Sequence, residues 1–132
     1  MDVELSNHKD RHLAEDGHLD ADAVRECTIE GWVDTGATQV VIPKVVADSL
    51  GLPFRIKTSV RFADGRRETQ DVVGDLWLRV CGRESVFSAV VEPGREDVLI
   101  GAIVLEELDL LADPKAGTCY PRDPEEILTV VE

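Results

Sequence analysis

From Cys27 to Tyr120 the chain is cut into short apolar stretches, each closed by turn-forming residues. That punctuation constrains the fold more than any other feature of the sequence. Cys27, Ile29 and the pair Trp32-Val33 are apolar while Thr28 and Glu30 are not, the alternation of a strand with one face in a core. Val40-Val41-Ile42 and Val98-Leu99-Ile100 are short, fully apolar runs of the kind found in buried strands. Leu76 to Val80 alternates, Cys81-Gly82-Arg83 turns, and Ser85 to Val91 returns as a partner strand. Arg55 to Phe62 and Glu68 to Val73 flank Ala63-Asp64-Gly65-Arg66, and an Asp-Gly between extended runs is a hairpin signal. Pro93-Gly94 and Asp113 to Gly117 mark further turns, with Thr118 to Tyr120 extended. Val3 to Leu5 opens the chain as a strand, and Ile127 to Val131 is a terminal strand candidate.

Two segments read as short helices. Pro43 to Leu50 has Pro43 at the start, Val45, Val46 and Leu50 as an apolar face, and Gly51 where a C-terminal cap belongs. Ile103 to Leu111 carries the apolar spacing of a second helix packed on one face. Asn7 to Asp22 is polar and charged and reads as a long, mobile loop or insertion. The prediction is one mostly β domain over residues 1–132, without the strand–helix rhythm of a doubly wound fold.

Lysine plus arginine number 14 against 27 aspartates plus glutamates, a net charge of −13. Such a chain is repelled by phosphate backbones and anionic lipid surfaces, so neither nucleic acid nor membrane is an expected partner. No apolar run is long enough to span a bilayer, and Met1 to Asp10 lacks the apolar stretch of a secretory signal, so the expected location is cytoplasmic. Cys27, Cys81 and Cys119 are widely spaced and odd in number, and read as small apolar fillers in a reducing compartment. No histidine follows His18, which argues against a nucleophilic cysteine with an imidazole base. His8 and His12, near Asp10, Glu15 and Asp16, are the one conceivable metal constellation, but the segment lacks an apolar face to hold them and reads as solvated loop.

The chemistry-bearing segment is Trp32-Val33-Asp34-Thr35-Gly36-Ala37-Thr38. A carboxylate follows an apolar strand and precedes a threonine and a glycine. A strand end can hold such a group at the floor of a cleft, Gly36 lets the backbone turn there, and the Thr35 hydroxyl can stiffen the turn. Asp, Thr and Gly also make an ordinary Asx-type turn. The flanking apolar stretches predict that Asp34 is at least partly buried, which favours a functional carboxylate.

Trp32 to Pro43, WVDTGATQVVIP, resembles the active-site loop of retropepsin-like aspartic proteases, and Val98 to Pro114, VLIGAIVLEELDLLADP, resembles their second signature. The resemblance runs from about Cys27 to Pro121 and is closest to the small single-domain cellular members. It implies a closed acid-protease β-barrel with one or two short helices. It implies Asp34 as the catalytic carboxylate, with Thr35, Gly36 and Ala37 in its loop. Ala63, Asp64, Gly65 and Arg66 become the tip of a flap, and Leu99, Ile100 and Gly101 the support of the loop. The tip is more polar and less glycine-rich than viral flaps, and the charged segment 7–22 has no viral counterpart. No cofactor and no metal are implied.

A carboxylate dyad needs two aspartates, and this chain has one D-T-G. The resemblance therefore implies a homodimer with the two Asp34 near its axis, with residues 121–132 as a possible interface strand. The expected substrate is a peptide or unfolded protein. The alternative is a dimeric peptide-binding module of the same fold without significant proteolysis, and a further one is a β-barrel interaction domain unrelated to proteases.

Overall fold

In the computed structural model, which describes residues 1–131, the segments expected as strands form a closed barrel with a projecting hairpin. Nine strands are formed: β1 (Asp2–Asn7), β2 (Glu26–Val33), β3 (Val40–Pro43), β4 (Phe54–Arg61), β5 (Arg67–Val80), β6 (Arg83–Glu92), β7 (Val98–Ile100), β8 (Leu110–Asp113) and β9 (Thr118–Pro121). The main sheet runs β1-β2-β7-β3-β6-β5-β4, and β1 also pairs with β5, so six strands close into a ring and β4 is left at an edge. β5 is long enough to serve twice. Its residues 76–79 pair with β1 and 72–80 with β6 inside the barrel, while 67–71 pair with β4 alone. The hairpin β4–β5 thus extends beyond the ring. Inward side chains of every ring strand meet in one core, with Leu5, Ile42, Leu76, Leu78, Val98 and Ile100 fully enclosed.

The order of strands in the ring decides where the chemistry sits. β2 and β3 are consecutive in sequence but not neighbours in space; β7 lies between them, parallel to β2 and antiparallel to β3. The loop 34–39 that joins β2 to β3 must therefore arch over the end of β7, where Gly101 follows Ile100.

Several expectations are corrected. Three α-helices form rather than one or two: α1 (His8–Glu15), α2 (Lys44–Leu50) and α3 (Ala102–Leu108). The segment 7–22 is therefore not a loop throughout. Asn7 caps α1, its side chain accepting the Asp10 N–H at 3.0 Å, and donates to the Leu50 carbonyl at 2.8 Å. Asp10 is buried and takes the Arg25 guanidinium at 2.8 and 3.0 Å together with the Arg25 N–H at 3.1 Å. The helix is anchored by polar bonds at its first turn rather than by an apolar stripe, and apolar periodicity could not reveal it.

α2 begins at Lys44 with Pro43 as its cap and ends on Gly51 in the left-handed conformation, as expected, but it buries Ala47 and Leu50 while Val45 is 78% exposed. α3 stops at Leu108 because Asp109 takes a left-handed conformation, so Leu110 and Leu111 belong to β8 and not to a helix reaching residue 111. Ile127 to Val131 forms no strand and is exposed. Cys119 is buried, as a filler would be, whereas Cys81 is exposed at the β5–β6 turn.

Candidate functional site

Asp34 leaves β2 with its N–H bonded to the Ile100 carbonyl at 3.0 Å, so the parallel pairing of β2 with β7 continues one residue into the loop. Its own carbonyl accepts the Ala37 N–H at 3.1 Å, closing a tight turn, and Oδ1 of its carboxylate accepts the Gly36 N–H at 2.9 Å. The carboxylate is thus held by main chain at one oxygen, which fixes its direction.

A second set of bonds fastens the far side of the loop. The N–H groups of Ala102 and Ile103, at the start of α3, donate to the carbonyls of Ala37 and Thr38 at 2.9 and 3.0 Å. Gly101 is packed beneath: a Cβ there would lie 2.7 Å from the carbonyl carbon and oxygen of Thr38 and closer still to the Gln39 carbonyl. Leu99 pairs with Trp32 and Val41 across both neighbouring strands, and Ile100 is fully buried. Residues 34–39 and 99–103 are thereby brought together.

One expectation fails at this point. Asp34 is exposed in the single chain, as are Thr35 and Gly36, with only Ala37 half-buried. The apolar runs on either side of Asp34 bury β2 and β3 but not the loop between them. Among the described residues no partner is found for the Thr35 hydroxyl.

Ala63 to Arg66 form the exposed tip of the β4–β5 hairpin, and their bonds are all local. Phe62 and Arg66 join through a main-chain bond of 2.8 Å, Asp64 accepts the Arg66 N–H at 2.9 Å, and the Arg66 guanidinium lies over the Phe62 ring at 4.5 Å. Gly65, at φ +86°, supplies the left-handed residue the turn requires. The tip is a self-contained polar turn.

Sequence reasoning gave no role to Trp32, although its side chain is half exposed on the same strand face as Asp34. Gly117 has no room for a Cβ because this indole covers it. A large aromatic two residues before Asp34 was the available signal. His8 and His12 lie on α1 with ring centroids 6.4 Å apart, and among the described residues no group of side chains is arranged to hold a metal ion. No helix among them is long and apolar enough to cross a membrane.

A protein-family model described as aspartyl protease matches residues 23–104. The chain belongs to the retropepsin-like aspartyl protease family. The matched stretch begins just before β2 and ends in α3, so the aspartyl protease signature covers the Asp34 loop, the hairpin and the supporting strand β7. β1, α1 and the β8–β9 hairpin lie outside the match. No curated protein matches the chain.

Proposed function

We propose that this aspartyl protease is an endopeptidase that works as a homodimer, each chain giving one Asp34 to a shared dyad. The observation that carries the reading is the loop itself: a lone carboxylate, exposed, oriented by the Gly36 amide and braced by β7 and α3. Two carboxylates close together cannot both ionise easily, so the pair shares a proton. The ionised member takes a proton from a water as that water attacks the scissile carbonyl carbon. The protonated member donates to the carbonyl oxygen. The tetrahedral intermediate then collapses as a proton passes to the leaving nitrogen and the C–N bond breaks.

The exposure of Asp34 and Thr35 supports pairing about this face, because a two-fold axis there would cover both. The exposed side chains of Trp32, Leu111 and Tyr120 add apolar area that a partner copy can bury. The β4–β5 hairpin is the element that would close over an extended peptide. Its polar, self-bonded tip is the feature that favours the second reading, a peptide-binding module without proteolysis.

Incubation with unfolded casein over a range of pH decides between them. Cleavage is expected from the purified protein and none from Asp34→Asn. Turnover retained in that variant refutes the role of Asp34. Sedimentation tests pairing: Thr35→Ala should weaken a dimer in which this hydroxyl bonds to its twin, and Thr35→Ser should not.

A further inference from the structure

Between the base of the β4–β5 hairpin, the barrel strand β6 and α3 lies a cavity of about 620 Å³, walled by Gln39, Arg55, Ile56, Thr58, Val86 and Ile103 among others. Asp34 is not part of it. It nevertheless starts at the Asp34 loop, because Gln39 is that loop's last residue. Ile56, Val86 and Ile103 are 60%, 41% and 37% exposed, an apolar lining left open to solvent in the single chain.

The polar groups of this cavity and of the hairpin beside it are unevenly satisfied. Along the hairpin, Lys57 is paired with Asp71 at 2.8 Å, and Arg66 with Glu68 at 3.3 Å. Arg55 has no ion pair among the described residues. Its stem lies against Gly74, where a Cβ would come within 2.5 Å of Arg55 Cδ and 3.2 Å of Nη1, so the side chain is laid along the strand rather than waving in solvent. Glu107 is the anionic wall, and Ser85 Oγ donates to it at 3.2 Å. Gln70 stands directly opposite Thr58 in the β4–β5 ladder and so shares its face. Gln70 is only 6% exposed, its Nε2 reaches Glu68 at 3.4 Å, and its Oε1 is buried without a partner.

Charge supplies the remaining clue. Residues 54–73 carry Arg55, Lys57, Arg61, Arg66 and Arg67 against Asp64, Glu68 and Asp71, so the hairpin is 5 − 3 = +2 in a chain of −13. The element that would cover a peptide is the basic part of an acidic protein.

We propose that this cavity is an extended subsite for substrate chain beyond the residues flanking the scissile bond, and that it selects an acidic residue next to an aliphatic one. The aliphatic side chain packs on Ile56, Val86 and Ile103. The carboxylate pairs with Arg55. Main-chain N–H groups of the extended peptide face the Glu107 carboxylate. The proposal rests on the reading that the Asp34 cleft takes peptide chains, and deepens it by naming the substrate class.

The test uses the Asp34→Asn protein, which should hold peptide without cutting it, and three fluorescein-labelled peptides identical except for Glu, Gln or Lys beside an Ile-Leu pair. Arg55 is solvent-accessible, so the Glu peptide should bind about three- to fivefold more tightly than its Gln isostere, with the advantage shrinking as salt rises. Arg55→Gln in the same background should erase the advantage, and Arg55→Lys should keep part of it. Equal affinity for the Glu and Gln peptides, or an advantage untouched by Arg55→Gln, overturns the proposal. The chain's own acidic, apolar C-terminal segment is the competing occupant. Peptide binding that appears only when Glu125 and Glu126 are changed to glutamine would assign the cavity to that segment and overturn the proposal too. Wild-type cleavage of peptides without any acidic preference would leave the protease reading standing and remove this one. Glu-selective binding with no cleavage by the wild-type chain would do the reverse.

Discussion

Gly101→Ala tests whether the Asp34 loop is as tightly braced as its bonds indicate. Gly101 has a φ of −88°, which alanine adopts freely, so any cost comes from space and not from backbone strain. The obstacles are the carbonyl groups of Thr38 and Gln39, and backbone cannot swing aside as the end of a long side chain can. Forcing a methyl into a filled site costs about 1–3 kcal/mol, and a backbone obstacle places this substitution at the upper part of that range. With an unfolding entropy of about 2.1 cal/mol/K per residue, the chain of 132 residues has about 0.28 kcal/mol/K, so a loss of about 2–3 kcal/mol lowers the melting temperature by about 7–11 °C. The loop and the start of α3 must move apart, so hydrogen exchange at the Ala102 and Ile103 amides should accelerate beyond what global destabilisation explains. Gly36→Ala is the comparison, since its added Cβ meets only Asp34 Oδ1, at 3.2 Å, and it should cost less. A Gly101→Ala protein that melts with the wild type and exchanges these amides at the same rate would refute the bracing argument.

Three further outcomes are expected. Asn7→Ala removes the α1 cap and leaves the buried Leu50 carbonyl unpaired, and should cost about 2–4 kcal/mol in chemical denaturation; a loss under about 1 kcal/mol would contradict the double role of this side chain. The hydrogen bonds from Arg25 hold the Asp10 carboxyl below its ordinary value of 3.8, so its contribution is fully present above that pH and lost as pH falls through the lowered value. Melting temperature should then fall more steeply below about pH 4 in the wild type than in Asp10→Asn, and parallel curves would contradict this. Cys81 and Cys119 have sulfurs 3.4 Å apart, and burial together with the Cys81 contact pushes the Cys119 thiol up to about 12. Treatment with diamide should join them with loss of two hydrogens by mass spectrometry and raise stability by about 3–4 kcal/mol through loop closure, whereas Cys119→Ser should do neither.

The fold was legible where one physical force dominates. The alternation of β2, the apolar runs of β3 and β7, and the Asp-Gly of the hairpin all follow from burying one face or turning the chain sharply, and each was placed correctly. The packing of Leu99 to Gly101 beside the Asp34 loop came from the family resemblance alone, because nothing in the spacing of two segments some 65 residues apart says that they meet. α1 was hidden because it is held by Asn7, Asp10 and Arg25, and polar anchoring has no period to read. The end of α3 was misplaced because Leu110 and Leu111 continue an apolar pattern, and nothing apolar announces that Asp109 turns left-handed. The exposure of Asp34 was missed because apolar neighbours in sequence report on the strands they belong to, not on a loop that arches over the barrel rim. The cavity lined by Arg55 was invisible, since only the fold brings Arg55, Ile56 and Thr58 of β4 beside Val86 of β6 and Ile103 of α3.

The interposition of β7 between β2 and β3 also bears on how the protein is made. The brace on Asp34 is the Ile100 carbonyl, 66 residues later in the chain, and the loop's far side waits for Ala102 and Ile103. At about 5–20 residues per second of synthesis, some 3–13 seconds separate the appearance of Asp34 from that of the strand that braces its loop. Long-range strand insertion is also slow once the chain is complete, because its loop-closure cost comes before its contacts do. The nascent polypeptide therefore leaves the ribosome's tunnel with the Asp34 loop still unbraced.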